Sequence, residues 1–140
     1  MGSRRKGRIL AFQALYSWDA NQAREAPIPE GLLDFSWASQ AIDEEMSAFS
    51  RLLVTGTIEN IEAVDKTIQE HLDNWEIKRL NKVDLAILRI SAYTLMFQTD
   101  MPPSIVIDEA IDISKEFGTD DSYRFVNGVL DGIRKAIEPA

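Results

Sequence analysis

Apolar residues recur at intervals of three and four along almost the whole chain, and no apolar–polar alternation persists anywhere. The first spacing lines one face of an α-helix; the second would line one face of a strand. The pattern excludes a sheet and leaves an all-α domain of about six to eight helices. Ile9, Phe12, Leu15, Tyr16 and Trp18 make the apolar face of a first helix, over roughly residues 4–20. Pro27 and Pro29 make "NQAREAPIPE" a loop, and a short helix follows through Leu32, Leu33 and Phe35. Asp43 is placed to cap a long helix, with Glu44 and Glu45 favourable in its first turn. Met46, Phe49, Leu52, Leu53 and Gly56 supply its inward stripe. Ile61, Val64, Ile68 and Leu72 resume the pattern, as the same helix continued past a bend. A turn at Asp73 and Asn74 leads into "WEIKRL". Asn81 caps the next helix, which buries Val83, Ala86, Ile87, Ile90, Thr94 and Phe97. "DMPPS" stops it, because consecutive prolines cannot continue a helix. Ser104 starts the following helix, with Ile107, Ala110, Ile111 and Phe117 facing inward and Gly118 closing it. Thr119 or Asp120 caps the last helix, which buries Phe125 or Val126, then Val129, Leu130, Ile133 and Ile137.

At 140 residues this is one domain with room for a real core, and 45% apolar content fits a soluble globular protein. There is no cysteine, hence no disulfide framework, thiol nucleophile or thiolate metal site. No apolar run approaches a membrane span. The basic start fails as a signal peptide, since Gln13 interrupts the apolar stretch and Asp19 soon follows. Gly2 fails as a myristoylation site because Lys6 stands where Ser or Thr is needed. His71 is the single histidine and has no metal-pairing spacing; it is read as structural or solvated. Asp108, Asp112 and Glu116 form a ladder on one helix face, read as solvated, and no Glu-x-x-His accompanies it. Gly128 and Gly132 stand at GxxxG spacing, which in a soluble helix marks close approach of a neighbour. Phosphate-loop and dinucleotide glycine patterns are missing. No catalytic residue, metal site or cofactor is therefore expected.

Charge is distributed unevenly. The first eighteen residues carry +4, from Arg4, Arg5, Lys6 and Arg8, while the rest carries −12, for a net −8. Cations at a helix N-terminus oppose its dipole by a few tenths to about 1 kcal/mol each. Gly7 inside the helix would add roughly 1 kcal/mol more. Two readings stand: a frayed soluble tail, or an anion site where cations and free N–H groups face one ligand. RNA phosphate is the obvious ligand of the second, and the acidic body would limit indiscriminate binding. Lys78, Arg79 and Lys82, with Arg89 further along, either extend that basic surface or pair with Glu76 and Asp84. Trp18 is read as core. Tyr16 and Tyr123 are read either as core or as stacking platforms for bases.

Four blocks, in order, resemble the NusB family of transcription antitermination factors. They are "RRKGRILAFQALYSW", "VDLAILRISAYTLMF", "MPPSIVIDEAIDISKEFG" and "FGTDDSYRFVNGVLDGI". The resemblance covers essentially the whole chain and is weakest over residues 20–45. It implies about seven helices in two small bundles, with subdomains at roughly 1–73 and 74–140. It also implies no catalysis, a cytoplasmic location, and binding to the boxA element of nascent, chiefly ribosomal, RNA. The partner it implies is NusE, a small ribosomal protein, within an RNA polymerase complex containing other Nus factors. By matching position, Arg4, Arg5, Lys6, Arg8, Tyr16, Asp121, Tyr123, Arg124 and Phe125 fall on the RNA surface. Asp84, Lys82 and Asp121 fall at the NusE interface. Departures from the family pattern include Gly7-Arg8-Ile9 where Ala-Arg-Glu is frequent, Asp108 for Asn, Tyr123 for His and Thr94 for Glu. Two alternatives accompany this reading. One is a self-associating scaffold of the same fold, working as a homodimer. The other is a stand-alone accessory domain of an RNA-modifying system. No glycine-rich cofactor domain is present, so methyl transfer in cis is not expected.

Overall fold

A computed structural model of the chain describes residues 2–20, 30–35 and 43–138. The proline-bearing loop expected after the first helix falls outside these, in residues 21–29. Among the described residues the fold is all-α. Helix α1 spans Gly2–Ala20, α2 is the single turn Glu30–Leu33, α3 spans Glu44–Glu59 and α4 Ile61–Glu70. A 3₁₀ turn, Ile77–Arg79, precedes α5 (Lys82–Phe97), α6 (Pro103–Phe117) and α7 (Ser122–Ile137). Among the described residues no helix is long and apolar enough to cross a membrane.

Local chemistry sets most of these boundaries. The Asp43 carboxylate accepts from the Met46 N–H at 2.7 Å, and Asn81 accepts from Val83 and Asp84, as their cap positions require. The continuous helix expected across Gly56 to Leu72 is instead two. Asn60 breaks it, folding its side-chain amide back to donate to Gly56 O at 2.8 Å. Asn74 takes φ 64°, the left-handed conformation that asparagine tolerates in turns. Pro102 occupies the cap of α6 and Pro103 its first turn, where the missing N–H is harmless. Gly118 is extended, with φ −93° and ψ −169°, so it is not a left-handed cap. Its smallness is needed because an added Cβ would lie 2.6 Å from the Ser122 Cβ. Helix α7 is not capped by Thr119 or Asp120. Ser122 accepts from the Thr119 N–H instead, and Asp121 occupies the cap position without a side-chain cap bond.

Helix α5 is the hub. It is buried from Asp84 to Leu95. It packs with the α1–α3 pair and with the α6–α7 pair, and α4 also lies against it. One apolar cluster runs through both. Trp18 lies in it, 3% exposed. Four residues expected to face inward are instead exposed: Leu52, Phe97, Phe117 and Ile137. In α3 the inward stripe is Ser50, Leu53, Val54 and Thr57, which rotates Leu52 outward. Ser50 and Thr57 tolerate burial because their hydroxyls donate to Gly7 O and Leu53 O. Phe97 and Ile137 end their helices beyond the core, and Phe117 lies edge-on against Phe12 at 5.1 Å.

Arg89 is the clearest correction. It is not part of a basic surface but 2% exposed. Its Nε and Nη2 each donate to Asp65 at 2.8 Å, and Nη1 lies 3.4 Å from Asp19. Asp19 also meets Lys82 at 3.1 Å. Burial pushes the Asp19 carboxyl up, but the hydrogen bond from Lys82 and the nearby charges outweigh it and hold it below its ordinary range. The network ties α1, α4 and α5 together.

Candidate nucleic-acid interface

The basic arm is helical from Gly2 and is seated on three other segments. Gly7 permits the first contact: an added Cβ would lie 2.7 Å from the Phe49 ring of α3. The Arg4 and Arg8 guanidinium groups sit over that ring, 5.2 and 5.7 Å from its centre. Both also donate to the Met101 sulfur, at 3.6 and 3.5 Å. From α6, Glu109 accepts from Arg5 Nε at 3.0 Å and Asp112 from Arg5 Nη2 at 2.6 Å. Those bonds raise the Arg5 pKa above its ordinary value, the Glu109 bond most.

Arg8 differs from its neighbours. It is 5% exposed, while Arg4, Arg5 and Lys6 are open to solvent. Burial lowers its pKa; Glu109, 3.9 Å away, opposes this, and Arg4 and Arg5 add to it. The guanidinium thus faces the protein interior.

Arg5 meets Glu109 and Asp112, and Phe12 meets Phe117, so α1 and α6 run the same way along a groove. Arg5, Lys6, Ile9, Asp112, Lys115 and Glu116 line it. Arg5, Ile9, Phe12 and Tyr16 follow one stripe of α1 at helical spacing. Tyr16 is 44% exposed on that stripe. At the far side the Lys115 ammonium lies 5.1 Å from the Tyr123 ring centre, and the Arg124 guanidinium lies 5.4 Å from it. Arg124 also donates to the Tyr123 hydroxyl at 2.9 Å. Phe125 is half-buried against the core. Lys115 lines the groove and meets Tyr123, so it joins the arm to the start of α7, and the cations and rings along this surface are interspersed with the carboxylates of Asp112 and Glu116.

This chain matches the NusB family over residues 5–135. It belongs to that family. A Treponema denticola protein named transcription antitermination protein NusB is 56% identical over 94% of this chain and 95% of its own length. A solved T. maritima NusB superposes with a TM-score of 0.85 at 34% identity, covering 97% of this chain and 93% of that one. A NusB solved with NusE and dsRNA gives a TM-score of 0.85 at 29% identity, covering 97% and 98%.

The residues expected at the NusE interface lie at the starts of α5 and α7. Asp84, at the start of α5, is 8% exposed, and its Oδ1 has no partner among the described residues. Burial pushes its carboxyl up, against a hydrogen bond from Ser122. Asp121, the residue before Ser122, is exposed. Lys82, the first residue of α5, pairs with Asp19 at 3.1 Å. Lys78 pairs with Glu76 at 3.2 Å, on the surface.

Lys115, Phe49, Met101 and Glu109 contact the arm or Tyr123 and carry no signal for this in the sequence. In the sequence Asp112 reads only as part of a solvated ladder. A cationic block and an acidic ladder in one sequence were the available signal for the Arg5 pairing. The Lys115–Tyr123 contact crosses a turn and has no sequence signature. His71 is half-buried, its Nδ1 2.9 Å from Thr67 O, and its ring would meet a Cβ at Gly132. Gly128 faces open space. Among the described residues no three His, Cys, Asp or Glu side chains are grouped to hold a metal.

Proposed function

We propose that this chain is a transcription antitermination factor that binds boxA RNA of nascent, chiefly ribosomal, transcripts together with NusE. It works in the cytoplasm, joins RNA polymerase with other Nus factors, and catalyses no reaction. The observation that carries this is the continuous surface from the arm to the start of α7. Arg4, Arg5, Lys6 and Arg124 present cations for phosphate along it. Tyr16, Tyr123 and the part-exposed Phe125 present rings for bases. Such a division, in which phosphate contacts position and base contacts select, is what sequence-selective RNA binding needs. Arg8 supports the arm from beneath, holding Phe49, Met101 and Glu109 in place.

For NusE, the α5–α7 junction is the supported site. Asp121 and Lys82 are reachable, and the buried Asp84 acts by fixing the junction through Ser122. The related complex of NusB, NusE and dsRNA supports the same pair of partners.

The test is fluorescence anisotropy with boxA and scrambled RNA, with and without NusE, over a salt series. About four phosphate contacts to single-stranded RNA give a log–log slope near −3. Arg4→Ala with Lys6→Ala should weaken both RNAs and flatten that slope. Tyr16→Ala should lower the preference for boxA and leave the slope in place. Equal binding of boxA and scrambled RNA, or indifference to NusE, overturns the reading.

A further inference from the structure

Two carboxylates hold Arg5, and they differ in a way that separates their roles. Glu109 takes Nε, has a side chain 20% exposed, and also faces the buried Arg8. Asp112 takes Nη2 at 2.6 Å and is 46% exposed, as is Arg5 itself. Glu109 therefore orients the guanidinium from the protein side. Asp112 occupies, from the solvent side, a position that an incoming phosphate oxygen would take. A carboxylate oxygen and a phosphate oxygen are both anionic acceptors for the same guanidinium N–H. Glu116, one turn on, lines the same groove and adds negative charge.

We propose that Asp112 is a built-in phosphate mimic: it occupies Arg5 in the free protein and must be displaced by RNA, which lowers affinity for every RNA sequence alike. This rests on RNA binding by the arm, as proposed above. The consequence is a higher threshold for retention. RNAs that offer phosphates alone fall below it, while RNAs that also satisfy the aromatic positions remain bound. Because the competition is for phosphate, it carries no sequence information. It changes the strength of binding and not the ratio between sequences.

Asp112→Asn removes the competitor, and Glu109 keeps Arg5 in position. An exposed ion pair is worth little, so the gain is modest: about twofold to fivefold tighter binding of boxA and of scrambled RNA equally. In the wild type the released carboxylate recaptures a cation, so the variant's salt slope should steepen by up to about 0.7. Losing any acid from an acidic protein favours RNA slightly, and a double-mutant cycle removes that effect. In an Arg5→Ala background, Asp112→Asn should give no more than a small residual gain. Thermal melts establish that each variant is folded.

Unchanged or weaker binding of Asp112→Asn overturns the proposal, since Asp112 would then only brace the arm. A gain that persists in full without Arg5 also overturns it, as does a gain confined to one RNA. If tightening occurs but the wild type does not prefer boxA, this inference stands and the boxA assignment falls. If boxA is preferred and Asp112→Asn is silent, the reverse holds.

Discussion

Asp65→Asn should be among the most damaging single substitutions outside the candidate interface. Arg89 is 2% exposed, and both its bonds at 2.8 Å go to Asp65. The substitution removes the charge opposite a buried guanidinium, and Asn offers one acceptor where two were used. Breaking a buried pair in this way costs about 3–5 kcal/mol, because a charge is left without a partner. Asp19 remains at 3.4 Å, shared with Lys82, so the lower figure applies: about 3 kcal/mol. Unfolding entropy of about 2.1 cal/mol/K per residue over this chain converts that to a fall in Tm of about 10 °C. Urea denaturation followed by circular dichroism measures the loss, with an unchanged m-value showing that the unfolding transition itself is the same. A second variant tests the cause. Adding Arg89→Met removes the stranded charge while keeping an apolar stem, and should recover at least half of the loss. A loss below about 1 kcal/mol would mean that water reaches the pair and screens it as at a surface. Failure of Arg89→Met to recover stability would assign the effect to packing instead of charge.

Gly56→Ala would drive a Cβ into the Tyr93 ring, which is 5% exposed and stacked on Phe97 at 5.5 Å. Overpacking of about 1–3 kcal/mol outweighs a helix-propensity gain of about 1 kcal/mol, so a lower Tm is expected, and a higher one would refute the close packing. Asp84→Asn should stabilise the protein more at neutral pH than near pH 4. Burial raises the folded-state pKa of Asp84 above its unfolded value, so the native state binds that proton more tightly. The cost of the carboxylate is therefore absent below the unfolded pKa and grows as the pH rises through the folded one. Paired urea titrations at the two pH values check this, and a gain that grows toward acid contradicts it.

The elements were legible because their signals are local. Asp43 and Asn81 capped where a side-chain acceptor before an apolar stripe requires it, and the double proline fixed the start of α6. What was misread depended on contacts distant in sequence. Leu52 reads as inward from its apolar spacing, yet Ser50 and Thr57 hold inward positions, with both hydroxyls spent on carbonyls. Arg89 looked like a surface cation until Asp65 and Asp19 were placed around it. At the candidate interface, the arm and its neighbouring aromatics are legible as residues, but the groove joining them needs α6. Lys115 and Asp112 enter it only once α6 lies beside α1.

The same dependence answers the conflict between local preference and observed structure at the N-terminus. Three exposed cations and a glycine make a poor first turn for an isolated helix. Here that turn is supported from outside: by the Phe49 ring and Ser50 hydroxyl of α3, by Met101, and by Glu109 and Asp112 of α6. Its helicity is therefore a tertiary property. α1 packs chiefly on α3 and α5, but its charged end is neutralised by α6, which packs on α5 and α7. The arm's helical form therefore depends on α3 and α6 together. Loosening of α6 should then fray the first turn of α1, which faster amide exchange there would show and unchanged exchange would contradict.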